Sequence, residues 1–388
     1  MEFGLTADQE NMIASTRKLV ERVIRPVLAK HPRDRALPKQ ELVEIFKVLA
    51  EQGILTPRLP EEGGGTGLSL LDCGLAFEQI PPSISMSMLS QDSFVARVFA
   101  ECSPAQREQW LPDVVTGKKL ACTGSTEPDT GSDPRGIKTR LRREGDVGIL
   151  NGQKMWITNV SVCDVMLVTC TEESPKDGRQ KVIKILVDRE KSPFEAHEID
   201  AIGLNQGFLG EAVFTDCRVP LANIVESDSG TQVLNKSWNL NRALVGLQAV
   251  HLAQRAFEQA LEYSKVRRQF GKPIAAHQLV QKNLSDIVTA ITTSRYLCYR
   301  TLWMMDQGEE VNGTAAMTKR YAQMSCREAV WQCMNIMGAM GLSREAGLEE
   351  LYRDIRMLPI PDGTNEILAL IHGRELTGFE AFRGLAPK

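Results

Sequence analysis

The chain has 388 residues, of which 43% are hydrophobic and 24% charged, with a formal net charge of −3. That length exceeds what one compact core organises, so two or three domains are expected. The near balance of charge supplies no field for nucleic acid or an anionic membrane, and no apolar run approaches a membrane-spanning length. The start, Met1-Glu2-Phe3-Gly4-Leu5, has an acid where a secretory leader is basic and no apolar stretch after it, so no signal is expected. Nine cysteines are scattered from Cys73 to Cys333 without a C-x-x-C pair, and none of the five histidines is spaced as a metal ligand. Neither a metal site nor a disulfide framework is predicted, and a reducing cytoplasm is the expected location.

Residues 1–117 have the apolar spacing of helices. Thr6-Ala7-Asp8-Gln9 resembles a capping box, and Ile13, Val20, Val23, Ile24 and Val27 follow at helical spacing with Pro26 near the end. A second helix is predicted from Pro38 to Gly53, with Leu42, Ile45, Phe46 and Leu49 on one face. Gly63-Gly64-Gly65-Thr66-Gly67 lacks the Gly-Lys-Ser/Thr ending of a phosphate cradle and reads as a plain loop. Residues 118–230 change to a period of two. Strands are predicted at Ile137–Arg143, Val165–Cys170, Val182–Val187 and Glu211–Thr215, and Asn151-Gly152 is read as the turn of a hairpin. Several short strands in so few residues predict a small barrel or sandwich. Residues 231–388 return to long helical patterns, over Val233–Tyr263, Leu279–Met305 and Ala315–Met340, with a short link at Gln307–Glu310. Short links make neighbouring helices antiparallel, so a bundle is predicted, its core filled by Met304, Met305, Met317, Met324, Met334, Met337 and Met340.

Four stretches carry candidate chemistry. They are Thr126 to Asp133, Met155 to Asn159, Tyr263 through Gln278, and Tyr352-Arg353-Asp354 followed by Asp362-Gly363-Thr364. Each has an ordinary reading as a turn, an aromatic strand, a basic helix end and a second turn. Asp362 in particular is a residue type common both in Asp-Gly turns and at helix N-caps. Taken together and in this order, the four stretches closely resemble the acyl-CoA dehydrogenase family. Ile367 to Arg374 looks most like its glutaryl-CoA dehydrogenase branch.

That resemblance implies an N-terminal α-helical domain (1–117), a middle β-barrel domain (118–230) and a C-terminal four-helix bundle (231–388), assembled as a homotetramer around FAD. It assigns Thr123, Ser125, Thr126, Ser132, Trp156, Ile157 and Thr158 to the flavin. An indole supplies a flat apolar face for the ring, and hydroxyls supply hydrogen bonds to its rim. A second subunit is implied to contribute Arg267, Phe270 and Gln278 at the diphosphate and adenine end, together with the loop containing Asn335, Gly338 and Ala339. Thr364 and Glu366 complete the cofactor set. Ser132, Asn239, Arg242 and Gly363 are implied to line the substrate. Asn335 and Ala339 stand where many relatives carry Gln and Gly.

The implied reaction removes the α-proton of an acyl-CoA thioester and transfers the β-hydrogen to FAD as hydride. Asp362 is the implied base, with its own N–H as one donor to the thioester oxygen. Most relatives have Glu at this position, and an acid shorter by one methylene loses roughly 1.5 Å of reach. Some relatives carry the base on the first bundle helix, where this chain has Asn241, which cannot serve. Asp92 is a candidate second acid or base, with the cap of a helix beginning near Phe94 as its ordinary reading. The glutaryl branch holds its distal carboxylate with an Arg near this segment. Residues Ser83–Met88 contain none, which counts against a dicarboxylic substrate. The expectation is a compact cyclic or branched acyl group, such as a cyclohexane- or cyclohexenecarboxyl thioester, with an electron-transfer flavoprotein as acceptor. A flavin oxidase of the nitroalkane oxidase type, a carrier-protein-linked dehydrogenase and a non-catalytic scaffold are the alternatives.

Overall fold

The computed structural model describes residues 4–133, 136–173, 180–226 and 232–381. The chain begins with α1 (Ala7–Leu19), entered through the predicted capping box. The Gln9 N–H donates to Thr6 Oγ1 at 3.2 Å and the Thr6 N–H donates to the Gln9 side chain at 3.1 Å. A wider π-helical turn, Val20–Ile24, leads into α2 (Arg25–Lys30), and Pro26 sits just past it. A proline has no N–H to give, so the helix tolerates it where the regular ladder is already interrupted. Helix α3 (Lys39–Glu51) starts after Pro38 and buries Leu42, Ile45, Phe46 and Leu49. The glycine loop after it is a plain loop, in which a Cβ on Gly65 would lie 1.6 Å from the Leu59 carbonyl.

Helices α4 (Leu70–Phe77), α5 (Pro82–Glu101) and α6 (Pro104–Val115) complete the N-terminal part. Helix α5 runs for 20 residues and is buried along most of its length. No helix begins at Phe94, so Asp92 is not a cap but a mid-helix residue facing the interior.

Eight strands follow: β1 (Ala121–Gly124), β2 (Arg140–Glu144), β3 (Val147–Thr158), β4 (Val165–Glu173), β5 (Gln180–Asp188), β6 (Glu195–Glu198), β7 (Leu209–Pro220) and β8 (Ile224–Val225). They form one sheet in the order β6-β7-β3-β2-β4-β5-β8, and β1 pairs in parallel with β4. The Asn151-Gly152 hairpin is corrected. Strand β3 passes straight through both residues, and the turn lies at Gly145-Asp146, between Glu144 and its partner Val147. Gly152 marks a register shift against β7, and a Cβ there would meet Thr139 at 2.6 Å. The Asn151 side chain is used sideways, donating to Asp216 Oδ1 at 3.1 Å and accepting from the Asp216 N–H at 2.9 Å. The glycine therefore serves a bulge and a close approach.

The C-terminal part contains α7 (Gln232–Val266), a small hairpin β9 (Arg268–Gln269) and β10 (Lys272–Pro273), then α8 (Gln278–Asp306), α9 (Asn312–Met337), α10 (Leu348–Met357) and α11 (Asn365–Thr377). The expected boundary at 230/231 and the last residues of the expected C-terminal part lie outside the described residues. Of the predicted core methionines, Met304, Met334 and Met337 are buried, whereas Met324 and Met340 are 45% and 38% exposed.

One apolar core runs from Phe46 and Ile84 in the N-terminal helices to Leu244, Val330 and Ile355 in the C-terminal ones. A second core lies within the sheet, around Leu150, Val168 and Phe214. The first and last thirds of the chain thus share a core, which brings the α5 side chains against α7.

Candidate active site

The loop between α10 and α11 carries Asp362. Asp362 (φ 55°) and Gly363 (φ 101°) are successive left-handed residues, a conformation that Asp tolerates better than most side chains. Thr364 is the N-cap of α11, its Oγ1 accepting from the Ile367 N–H at 3.3 Å. Asp362 is therefore in a turn, as an Asp-Gly pair predicts, but it is not the cap, and its carboxylate is free to face inward.

Two buried cations hold this turn by its carbonyls. Lys319, on α9, is fully buried, and its Nζ donates to the carbonyls of Pro361 at 2.6 Å, Gly363 at 2.7 Å and Pro359 at 3.4 Å. Arg242, on α7, donates through Nε to the Asp362 carbonyl at 3.2 Å. Its Nη1 donates to Asn239 Oδ1 at 2.8 Å and to Asn312 Oδ1 at 3.3 Å. The Asp362 N–H has no hydrogen-bond acceptor among the described residues. Lys319 escaped the sequence reading. Its signal was a lone lysine on a helix face otherwise formed by Ala315, Ala316 and Ala322, all fully buried.

Burial pushes the Asp362 carboxyl above the ordinary carboxylate range, against the pull of Lys319, the Asn241 hydrogen bond, Arg242 and Arg58. Asp362 keeps one partly open side, so that upward push is weaker than a sealed acid would feel. Burial brings Lys319 down to about 7, with Asp362 acting in the opposite direction. Arg242 is lowered by burial, again against Asp362.

Asp92 is 2% exposed and is ion-paired with Arg58, a residue the sequence reading did not single out. Arg58 belongs to the segment between α3 and α4. Its Nε donates to Asp92 Oδ2, its N–H to Asp92 Oδ1 at 3.3 Å, its Nη2 to Ser93 Oγ at 2.7 Å and its Nη1 to Ser237 Oγ at 3.1 Å and Asn241 Oδ1 at 3.2 Å. Asn241 in turn donates through Nδ2 to Asp362 Oδ1 at 3.4 Å. Burial raises the Asp92 carboxyl and Arg58 opposes the rise. The absence of arginine from 83–88 thus does not leave this region without one. The guanidinium arrives from a segment distant in sequence, already paired.

Thr123, Ser125, Thr126, Trp156, Ile157 and Thr158 are brought together where β1 and the residues after it run alongside the last part of β3. The Met155 N–H donates to the Thr126 carbonyl at 3.0 Å, and Ser125 Oγ lies 3.0 Å from Thr169 Oγ1. Trp156 stands in a bulge of β3 with φ 62° and 52% of its surface exposed, while Ile157 is buried. Ser90, on α5, donates to the Thr158 carbonyl at 3.2 Å and ties this edge to the helix bearing Asp92. Below it, Lys154 and Glu127 form a buried ion pair at 2.6 Å, and Glu127 also accepts from the N–H groups of Lys138 and Thr139. Ser132 lies in the exposed turn that follows. An exposed indole in a conformation rare for a bulky residue, beside four hydroxyl side chains, fits a flat aromatic cofactor with a polar rim.

Other predicted positions lie apart from this edge on exposed surface. Arg267 ends the α7 region, Phe270 forms the β9–β10 turn with φ 51° and 94% exposure, and Gln278 opens α8. Asn335 is near the end of α9, which Gly338 (φ 57°) terminates, and Ala339 follows. Glu366 is exposed in the first turn of α11. Arg353 and Asp354 act as a structural clamp. Arg353 Nη1 donates to the Ile202 carbonyl at 2.8 Å, and Asp354 Oδ1 accepts from the Leu204 N–H at 2.6 Å, so α10 is docked on the β6–β7 connection. A separate concavity of about 460 Å³, bounded by Lys39, Trp110, Asp164 and Arg189, contains none of these residues.

Comparison with known proteins covers all three parts of the chain. Residues 6–118 match the N-terminal domain of acyl-CoA dehydrogenase, residues 122–217 its middle domain and residues 228–377 its C-terminal domain. The chain is 29% identical over 390 residues to a probable acyl-CoA dehydrogenase of Bacillus subtilis (strain 168), covering 97% of this chain and 100% of that one. It is 30% identical over 384 residues to cyclohex-1-ene-1-carbonyl-CoA dehydrogenase of Syntrophus aciditrophicus (strain SB), covering 96% and 90%. A glutaryl-CoA dehydrogenase of Mycobacterium smegmatis, solved in complex with FADH2, superposes with a TM-score of 0.87 at 25% identity, covering 98% and 97%. The chain belongs to the acyl-CoA dehydrogenase family, oxidoreductases that act on CH–CH bonds with FAD.

Proposed function

We propose that this enzyme desaturates a compact cyclic or branched acyl-CoA, with Asp362 as the base that takes the α-proton. The observation that carries the assignment is the environment of Asp362. Its carboxylate faces Asn241, its carbonyl and its neighbours' carbonyls are held by Lys319 and Arg242, and its N–H has no acceptor among the described residues. A thioester oxygen placed at that N–H has a donor where negative charge develops, and the α-proton then lies within reach of the carboxylate on the same residue. Lys319 and Arg242 draw the proton affinity of the acid down, against the rise that burial causes. FAD, when bound, accepts the β-hydrogen with its electron pair.

Trp156 supports the flavin ring, with Thr123, Ser125, Thr126, Ile157 and Thr158 around it. Ser132, Asn239, Arg242 and Gly363 line the thioester end. Arg267, Phe270, Gln278, Asn335, Gly338 and Ala339 serve the cofactor of a neighbouring copy in a homotetramer, and Thr364 and Glu366, at the start of α11, complete the cofactor set. The exposed apolar Phe270, Leu279, Trp331 and Leu342 support such an assembly. An electron-transfer flavoprotein takes the electrons onward. The 30% identity to an enzyme named for cyclohex-1-ene-1-carbonyl-CoA supports the cyclic acyl class.

Anaerobic mixing of the FAD-loaded enzyme with cyclohexanecarboxyl-, cyclohex-1-ene-1-carbonyl-, isobutyryl- and butyryl-CoA tests the reading. Bleaching of the flavin is expected with a cyclic or branched thioester and not at a comparable rate with butyryl-CoA. Rapid peroxide formation in air would favour the oxidase alternative instead, and no bleaching with any thioester would overturn the assignment.

A further inference from the structure

Asn241 occupies the place where an alternative base would stand, yet it is in contact with both Asp362 and Arg58. An arginine has only donors, so the Asn241 amide oxygen must face Arg58 and its NH2 must face Asp362 and Ser93. The amide has one possible orientation, fixed by a buried cation. An Asp at position 241 would repel Asp362. An apolar residue there would leave an Arg58 Nη1 hydrogen bond unmade.

We propose that Arg58 and Asn241 form a positioning relay that fixes the orientation and proton affinity of Asp362, with Asp92 as the counter-ion that sets its strength. The inference rests on Asp362 being the base. The chain of contacts runs Asp92–Arg58–Asn241–Asp362, from α5 through the α3–α4 segment and α7 to the catalytic turn. Arg58 and Asp92 side chains are 7% and 3% exposed, so their charges are poorly screened. The charged groups facing Asp362 are Lys319 from α9, Arg242 from α7 and Arg58, with Asp92 behind Arg58. Lys319 and Arg242 grip the backbone of the turn. Among the described residues, the hydrogen bond to the carboxylate itself comes from Asn241. A short acid on a left-handed residue has few ways to adjust its aim, so a fixed partner at its oxygen decides where the other oxygen points.

The relay makes predictions of opposite sign for its two charges. Arg58→Met removes a cation that favours ionised Asp362, so the acid titrates higher. Asp92→Asn removes the anion that offsets that cation, so the acid titrates lower. A change in packing alone has no reason to move a titration in opposite directions. The Asp362 carboxyl stretch is first identified in the FAD-loaded holoenzyme by infrared difference, as the band lost in Asp362→Asn, and then titrated in each variant without substrate. Flavin reduction by cyclohex-1-ene-1-carbonyl-CoA is measured in parallel from pH 5 to 9.

Arg58→Met is expected to shift the band and the ascending limb of the rate profile upward by about one pH unit, with Arg58→Lys recovering part of the shift. Asp92→Asn is expected to shift both downward. Asn241→Ala leaves the Arg58–Asp92 pair intact and is expected to slow flavin reduction about tenfold with KM nearly unchanged. That variant keeps the test decisive if Asp92→Asn does not fold. Shifts in the same direction for both charge variants, or an Asn241→Ala enzyme with the parent rate and titration, would overturn the relay. Persistence of bleaching in Asp362→Asn would instead overturn the assignment of the base.

Discussion

Lys319→Met gives the sharpest test of how the Asp362 turn is held. The substitution keeps a long unbranched side chain in a fully buried site and removes only the donor. Three carbonyls lose their partner, two of them at 2.6 and 2.7 Å. A hydrogen bond to a charged group contributes about 1.5–3 kcal/mol, so the two short ones together amount to about 3–6 kcal/mol. Removing the cost of burying an ammonium offsets part of that, leaving a net local loss of about 2–4 kcal/mol. The loss should fall on the turn before it falls on the whole fold, because α9 keeps its apolar contacts to α7. Hydrogen exchange read by mass spectrometry should therefore speed up in peptides spanning 358–364 by about 30- to 1,000-fold, with little change in α7. Flavin reduction should slow about 100-fold, since a displacement near 1 Å at the base has that effect. FAD should remain bound. Exchange within threefold of the parent, together with an unchanged rate, would refute the view that Lys319 holds the base in place.

Asp362→Asn keeps the turn geometry but cannot accept the α-proton, so thioester-dependent bleaching should fall by at least about 10³-fold while the flavin spectrum is retained. Parent-like bleaching would remove Asp362 from the chemistry. Phe270→Asp places a charge on a 94% exposed ring and should shift the assembly toward smaller species and weaken FAD retention together, as sedimentation and flavin absorbance will show. An unchanged mass with full FAD content would count against a shared cofactor site. Asp354 is pushed by burial from 3.8 up to about 7, so the folded chain holds a proton that the unfolded chain releases. Its contribution is present below the unfolded value and is lost as pH rises toward 7, with a slope of at most ~1.4 kcal/mol per pH unit. Denaturant melts of Asp354→Asn, which keeps an acceptor for the Leu204 N–H, should lose that slope between pH 4 and 7. An identical pH profile would show that Asp354 is not titrating there.

The local features of this protein were legible in its sequence. Thr6 with Gln9, Pro38 with Gly53, and the long apolar periods of α7, α8 and α9 specify themselves within a few residues, because caps and helical faces are short-range. The ordered motifs identified the family and pointed to Asp362 and Trp156. Asn151-Gly152 shows where local reading fails. The same dipeptide suits a tight turn or a bulge, and the choice was made by Thr139, just before β2, and Asp216, on β7.

The site's wiring was decided only by tertiary structure. Arg58 reaches Asp92 across 34 positions and Asn241 across 183, and Lys319 reaches the Asp362 turn across 42 and 44. No periodicity or spacing encodes such pairings. They follow from a single core shared by the two ends of the chain, which buries these polar groups where their hydrogen bonds must be met inside the fold.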